Sequence, residues 1–160
     1  MPDNKPNYLF LSWNMIDKDI SALAALLKPE LAKRNITQIY CVSRGGLVPA
    51  AIIARELDMH NLDTICIQSY NSNTTQNDTA EVLKMPSGNG ENTLVVDDLV
   101  DSGKTMALVR QKMPKAYIAT VYAKPAGKSE TDIFFKEVSQ DTWIVFPWEN
   151  YEGIERPQNY

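Results

Sequence analysis

One histidine and two cysteines in 160 residues leave little material for thiol or imidazole chemistry. A metal site built on several histidines is excluded, and two cysteines cannot supply a four-thiolate cluster. Cys41 and Cys66 each sit inside an apolar, strand-like run. They do not read as a secreted disulfide framework, so the expected compartment is the reducing cytoplasm. His60 lies in the polar stretch Met59-His60-Asn61 and is expected at the surface. No apolar run approaches the roughly 20 residues of a membrane span. The start, MPDNKPNYLFLSWN, lacks the basic, apolar and small-residue regions of a secretory leader. Basic residues are also outnumbered, 16 Lys and Arg against 20 Asp and Glu, for a net charge of -4. A broad nucleic-acid surface normally needs a basic stripe, so nucleic acid is not an expected partner. Peripheral membrane association stays open. An acidic average does not exclude an anionic ligand, because a site is local.

What is present suits one soluble domain spanning residues 1–160. With 44% hydrophobic residues, a chain of this length buries roughly 70% of the surface its unfolded form exposes. No internal repeat or low-complexity tract is found. Ile16, Ile20, Leu23, Ala24 and Leu27 have helical spacing over 15–28, and Pro29 is expected to end that helix. Gln38–Val42 reads as a strand ending in Ser43-Arg44-Gly45-Gly46, followed by a helix from Leu47 to Leu57. Asp63–Ser69 is a second strand. From Tyr70 to Thr79 no apolar residue follows Tyr70, which predicts a polar loop acting as a lid. Glu81–Met85 reads as a short strand. Thr93–Val96 is a buried type of strand that runs into Asp97-Asp98, with a helix expected from Gly103 to Met113. Tyr117–Ala123 and Ile133–Val138 complete the strands. Apolar strands alternating with helices predict an α/β fold with a mostly parallel twisted sheet flanked by helices. Ligands in such sheets bind at the carboxyl ends of the strands.

Residues 94–105, Leu-Val-Val-Asp-Asp-Leu-Val-Asp-Ser-Gly-Lys-Thr, carry the sharpest chemistry. Their end looks like a nucleotide-binding P-loop, but that motif needs glycine where Asp98 stands. Read physically, Asp101, Ser102, Gly103, Lys104 and Thr105 lie between a strand and a helix. Their backbone N–H groups can form an anion nest at the helix N-terminus, suited to one phosphate monoester. Asp97 and Asp98 can bind sugar hydroxyls directly or through Mg²⁺, a cation that prefers oxygen ligands. A phosphate beside vicinal hydroxyls describes a ribose 5-phosphate.

That segment resembles the phosphoribosyl-pyrophosphate signature of the type I phosphoribosyltransferases. Cys41-Val-Ser-Arg-Gly-Gly-Leu-Val-Pro-Ala50, Ser69-Tyr70, Ala123-Lys-Pro-Ala-Gly127 and Gln140-Asp-Thr-Trp-Ile144 extend the resemblance, in order, to the bacterial xanthine–guanine branch of that family. It covers roughly residues 8–150, and the tail Asn150–Tyr160 departs from it.

The resemblance implies the type I fold, with a small C-terminal base-binding hood over about 124–150 and a flexible lid over about 70–80. It implies a pyrophosphate site of Ser43, Arg44, Gly45, Gly46 and Ser69, with a cis peptide at Arg44–Gly45. Glycines let the backbone approach an anion, and Arg44 adds a planar cationic donor. It assigns ribose 5-phosphate to Asp97, Asp98, Asp101, Ser102, Gly103, Lys104 and Thr105, with Asp98 as the Mg²⁺ ligand. Asp101 is the catalytic residue, assisting loss of a proton from purine N7. Lys124 would contact a purine O6, Trp143 would stack on the base, and the Ile144 backbone would read its edge. The implied reaction is purine salvage, by Mg²⁺-dependent transfer of phosphoribosyl from phosphoribosyl pyrophosphate to N9 of guanine, xanthine or hypoxanthine. The implied assembly is a homotetramer. Three positions depart from the pattern: Lys104 where glycine is common, Val145 where an acid is expected, and Glu149 in place of a shorter acid. Two rivals remain, a phosphoribosyltransferase for another base and a regulator that senses phosphoribosyl pyrophosphate.

Overall fold

The computed structural model describes residues 7–70, 79–150, 153–154 and 156–157. In chain order the elements are β1 (Asn7–Phe10), α1 (Trp13–Lys33), β2 (Gln38–Ser43), α2 (Leu47–Glu56), β3 (Leu62–Tyr70), β4 (Thr79–Lys84), β5 (Thr93–Val100), α3 (Lys104–Lys112), β6 (Tyr117–Ala123), a 3₁₀ turn (Lys128–Glu130), β7 (Ile133–Glu137) and β8 (Thr142–Val145). Six strands form one sheet in the order β4-β3-β2-β5-β6-β7. All pairs are parallel except β3–β4, which is antiparallel.

The sheet is covered on both faces, which is why its central strands are apolar without alternation. Leu94 and Val96 of β5, with Ala119 and Val121 of β6, pack with Ile16, Ile20, Leu23 and Leu27 of α1 and Ala50 and Ile53 of α2. Val95 and Ile118 point the other way, to Met106 and Val109 of α3. The two α/β crossovers into the middle of the sheet leave β2, β5 and β6 with their carboxyl ends on one edge.

Three expectations need correction. Pro29 does not end α1, which runs on to Lys33. A proline at 29 takes the N–H partner from the carbonyl of residue 25. Ala25 is exposed, so water can satisfy that carbonyl, while Leu31 beyond the proline still packs on the core. At the other end, Ser12 caps the helix by accepting from the Met15 N–H at 3.2 Å. Second, Asp97 and Asp98 do not stand at a strand tip. β5 continues to Val100, because β6 extends alongside it and pairs Asp97 with Thr120 and Val100 with Ala123. Third, the cis peptide is Ser43–Arg44, one bond upstream of the expected one. Neither bond contains proline, so the sequence does not mark which one is cis.

A second sheet was not anticipated. β1 pairs in parallel with β8, with Leu9 opposite Ile144 and Phe10 opposite Val145. The ribbon therefore joins the start of the chain to residues 142–145 of the segment expected to form a C-terminal hood. Residues 71–78 of the expected lid lie outside the described residues, and its ends belong to β3 and β4. His60 is at the surface, 3.3 Å from Asp58 with both side chains nearly fully exposed. Both cysteines are free thiols. Among the described residues no helix is long and apolar enough to cross a membrane.

Candidate active site

Two loops and one strand meet at the carboxyl ends of β2, β5 and β6. The β2–α2 loop turns tightly, with the Gly46 N–H donating to Val42 C=O at 2.8 Å. Its glycines are required by proximity. A Cβ on Gly45 would lie 2.6 Å from both carboxylate oxygens of Asp98, and one on Gly46 would lie 2.4 Å from Val96 O. The loop thus rests directly on β5. Ser43 donates its hydroxyl to Ile65 O at 3.2 Å, so what it offers a ligand is main chain rather than side chain. Arg44 is exposed on the loop.

Asp97 is buried and turns its Oδ1 back to accept from the Asp98 N–H at 2.9 Å. Burial pushes its carboxyl well above the usual carboxylate value, and the neighbouring Asp98 charge adds to the rise. Asp98 is pushed up to about 7, first by burial and then by the charge of Glu149. Glu149 comes from the turn after β8, so that turn faces the acidic pair across the site. Thr120, opposite Asp97 on β6, has a buried hydroxyl with no hydrogen-bond partner. Among the described residues there is no group of three or more acids, cysteines or histidines arranged to hold a metal.

A second cluster gathers around Asp101. The Lys124 Nζ lies 2.9 Å from Asp101 Oδ2, and Gln140 Nε2 donates to Asp101 Oδ1 at 2.8 Å. Lys124 is only 7% exposed in its side chain, whereas Asp101 is 53% exposed. A buried ammonium needs such a partner. Gln140 also accepts from the Ala126 N–H at 2.9 Å, bridging the turn after β6 to Asp101. That turn is tight: Lys128 N–H and Gly127 N–H both return to Lys124 O. Gly127 is there because a Cβ would sit 2.5 Å from Asp101 O and 2.7 Å from Gly103 N. Gly103 itself has φ +84, a left-handed conformation that favours glycine, and caps α3. The amides of Ser102 to Thr105 open that helix, and Lys104 N–H lies 3.5 Å from Ser102 Oγ.

The remaining expected residues are on the ribbon or at the edge of the main sheet. Trp143 is 47% exposed on β8, and Ile144 is buried beside it. Leu11 N–H donates to Val145 O at 3.0 Å, so Val145 turns its carbonyl toward β1. Successive strand residues alternate, so Ile144 directs its N–H and C=O to the opposite edge. Val145, where an acid was expected, is buried at 2% exposure and packs inward. Ser69 lies in β3 with its backbone paired to Ala80. Thus the structure unites the 43–46 loop with Asp98, and Asp101 with Lys124 and Gln140. Trp143 and Ile144 belong to a separate ribbon. Sequence reasoning missed Gln140 and Gly127 as members of the site. Both were visible as flanks of the motif segments, but only the fold shows that they converge on Asp101.

An acidic pair on β5 and the N-terminus of α3 at Gly103 stand together at the carboxyl ends of a mostly parallel sheet, the place where α/β sheets of this kind bind ligands. The chain belongs to the phosphoribosyl transferase domain family, whose model matches residues 12–152. It is 49% identical over 147 residues to a xanthine-guanine phosphoribosyltransferase of Desulfotalea psychrophila, covering 92% of this chain and 89% of that protein. It is 51% identical over 140 residues to a protein of the same name from Nitratidesulfovibrio vulgaris, covering 88% and 83%. Among solved structures, a purine phosphoribosyltransferase from Pyrococcus horikoshii superposes with a TM-score of 0.75 at 28% identity, covering 94% of this chain and 99% of that one. A Helicobacter pylori xanthine-guanine-hypoxanthine phosphoribosyltransferase gives 0.68 at 26%, covering 89% and 94%. The fold is that of the type I phosphoribosyltransferases.

Proposed function

We propose that this protein is a purine-salvage enzyme that transfers 5-phosphoribosyl from phosphoribosyl pyrophosphate to N9 of a 6-oxopurine. The products are the nucleoside monophosphate and pyrophosphate. The observation that carries the reading is the Lys124 ammonium, almost wholly buried and held 2.9 Å from Asp101 at the end of β6. A fixed cation favours an oxygen acceptor at the purine 6-position and disfavours an amino group, which can only donate. Guanine, xanthine and hypoxanthine share that oxygen.

In this reading the amides of Ser102, Gly103, Lys104 and Thr105 bind the 5-phosphate, with Asp97 and Asp98 on the ribose hydroxyl side. The Ser43–Gly46 loop and Ser69 receive the pyrophosphate, with Arg44 as its cation. Trp143 stacks on the base, and Ile144 reads its edge through the main chain. The bond from C1 of the ribose to pyrophosphate breaks as the bond to N9 forms, and Asp101 accepts the proton leaving N7. Gln140 and Lys124 hold the two Asp101 oxygens in place while it does so. Catalysis is then mostly positioning and charge stabilisation.

The residues present fit Mg²⁺. Asp98 is a hard oxygen donor whose ionised form is resisted by burial and by Glu149. A divalent cation relieves that repulsion. Mg²⁺ commonly uses one or two carboxylates together with substrate and water oxygens. Asp98 would hold it, and when bound it supplies charge neutralisation on the departing pyrophosphate. The homotetramer and the cytoplasmic location implied by the family belong to the same proposal; sedimentation across a concentration series tests the first.

The deciding assay is nucleotide formation from phosphoribosyl pyrophosphate with guanine, xanthine, hypoxanthine, adenine or orotate, with and without Mg²⁺. Turnover with the 6-oxopurines in Mg²⁺ is expected. Absence of turnover in folded protein, or a preference for adenine or orotate, overturns the reading.

A further inference from the structure

Arg156 lies in the tail that no motif covers, yet its guanidinium donates to three main-chain carbonyls. Nη1 reaches Leu11 O at 3.5 Å, while Nη2 reaches Phe146 O and, at 3.1 Å, Glu149 O. These acceptors have a pattern. The last rung of the β1–β8 ribbon is Leu11 N–H to Val145 O, so Leu11 O lies at the end of β1 and Phe146 O begins the turn after β8. The guanidinium ties the end of one strand to the turn that follows the other. Its planar, permanently charged fork suits several acceptors at once.

A two-stranded ribbon is marginal by itself and needs such support. The other restraints on this end converge on the same turn. Glu149 N–H donates to Phe146 O at 3.1 Å, and Phe146 N–H donates to Glu149 Oε2 at 3.3 Å. Phe146 stacks on Trp148 with centroids 4.8 Å apart, and Trp148 meets Trp13 at 5.9 Å. Among the described residues, Arg156 ties this turn to Leu11 through a side chain from outside both strands.

We propose that Arg156 is a positioning residue for the purine: it fixes the ribbon that carries Trp143 and Ile144 and so sets affinity for the base. The proposal rests on the base-binding role of β8 given above. The phosphoribosyl side is built on β2, β5 and α3, whereas the three Arg156 acceptors follow β1 and β8, so its larger effect falls on the base; Glu149, in the same turn, carries the smaller effect to Asp98.

The test uses the full chain with Arg156→Ala and Arg156→Lys, varying guanine at saturating phosphoribosyl pyrophosphate and then the reverse. Misplacement of a recognition element by a fraction of an ångström is expected to raise the KM for guanine about tenfold in Arg156→Ala, with the KM for phosphoribosyl pyrophosphate changed less than about twofold. Arg156→Lys, which keeps the charge but not the fork, should fall between. Millimolar ethylguanidinium should lower the guanine KM of Arg156→Ala and leave wild type unaffected. An unchanged guanine KM, or equal losses for both substrates without chemical rescue, overturns the proposal. If Arg156→Ala does not fold, Arg156→Lys carries the same reading. Wild-type protein without turnover would instead sink the functional reading, and this inference with it.

Discussion

The carboxylate of Asp98 occupies the space that a side chain on residue 45 would need, 2.6 Å from where that Cβ would stand. The proposed pyrophosphate loop and the proposed metal acid are thus in van der Waals contact through a missing methyl group. Gly45→Ala must push the loop away from β5 or turn Asp98 aside. Overpacking of this size costs roughly 1–3 kcal/mol. Where that strain falls on the loop and Asp98 in the substrate complex, the same energy is a loss of about fivefold to about a hundredfold in kcat/KM for phosphoribosyl pyrophosphate. The KM for guanine should move far less. Steady-state kinetics on both substrates check this, and an unchanged kcat/KM would show that the contact is incidental.

The same acid makes stability depend on pH in a defined direction. Burial and Glu149 raise Asp98 to about 7, and Asp97 is also raised by burial. As pH rises, the unfolded chain gives up these protons first and the folded protein holds them. The unfolded state therefore binds fewer protons, and stability falls from the ordinary carboxylate value up to the folded one. Without divalent metal, the thermal midpoint of wild type should drop between about pH 5 and about pH 7 more steeply than that of Asp98→Asn. Asp97 titrates differently in the variant, because the Asp98 charge contributes to its rise, so the difference in slope reports the interacting pair rather than Asp98 alone. Added Mg²⁺ should recover part of the loss near neutrality, because it binds the ionised acid of the folded state. Parallel melting profiles would contradict this.

The parts of this architecture that were legible in the sequence are those in which local pattern and tertiary context agree. Tyr117–Ala123 is apolar, β-rich and buried between two covered faces, and its boundaries match the expected strand. Asp97 and Asp98 illustrate the opposite case. Carboxylates are poor strand residues, yet pairing with Thr120 and its neighbours on β6 carries the strand through them. β1 and β8 are four residues each and meet across most of the chain, so no local pattern signals their pairing. Long-range side-chain contacts were equally invisible: Gln140 reaches Asp101 39 positions away, and Arg156 reaches Leu11 145 positions away. The motifs identified the loops that meet a ligand, but not the side chains that hold those loops.

Pro29 gives a test confined to the fold. It lies inside α1 on an exposed surface, far in sequence from every proposed site residue. Its cost is one missing helical hydrogen bond and a steric conflict with the carbonyl one turn back. Alanine restores the N–H without creating a cavity, because the proline ring is exposed. Proline in a helix interior is about 3 kcal/mol worse than alanine in model helices, and the solvated Ala25 carbonyl should reduce the difference here to about 1 kcal/mol or somewhat more. For a domain of this size, about 1 kcal/mol raises the thermal midpoint by roughly 2–4 °C. Calorimetry on Pro29→Ala should show that rise with unaltered kinetics. A fall would mean that the proline relieves a strain not evident in the helix.

Lys124 separates recognition from stability most sharply. Its ammonium is buried against Asp101, while Asp101 is half exposed and can return to water if the partner is removed. Lys124→Met keeps the length and apolar stem of the side chain and removes a desolvated charge. Removing one partner of a fully buried pair is strongly destabilising, but here the carboxylate left behind is half exposed and keeps its bond from Gln140, so the thermal midpoint should change little. Recognition should fail at the same time. A site that hydrogen-bonds a substrate group loses most of its selectivity when that partner goes, and kcat/KM for guanine should drop by about a hundredfold or more. Gln140→Ala provides the graded comparison. It frees only one Asp101 oxygen and leaves the cation in place. A fall in kcat of about tenfold is expected, with little change in the KM for phosphoribosyl pyrophosphate. If Lys124→Met retained full activity toward guanine, the buried cation would have a structural role only, and 6-oxopurine recognition would have to reside in the ribbon alone.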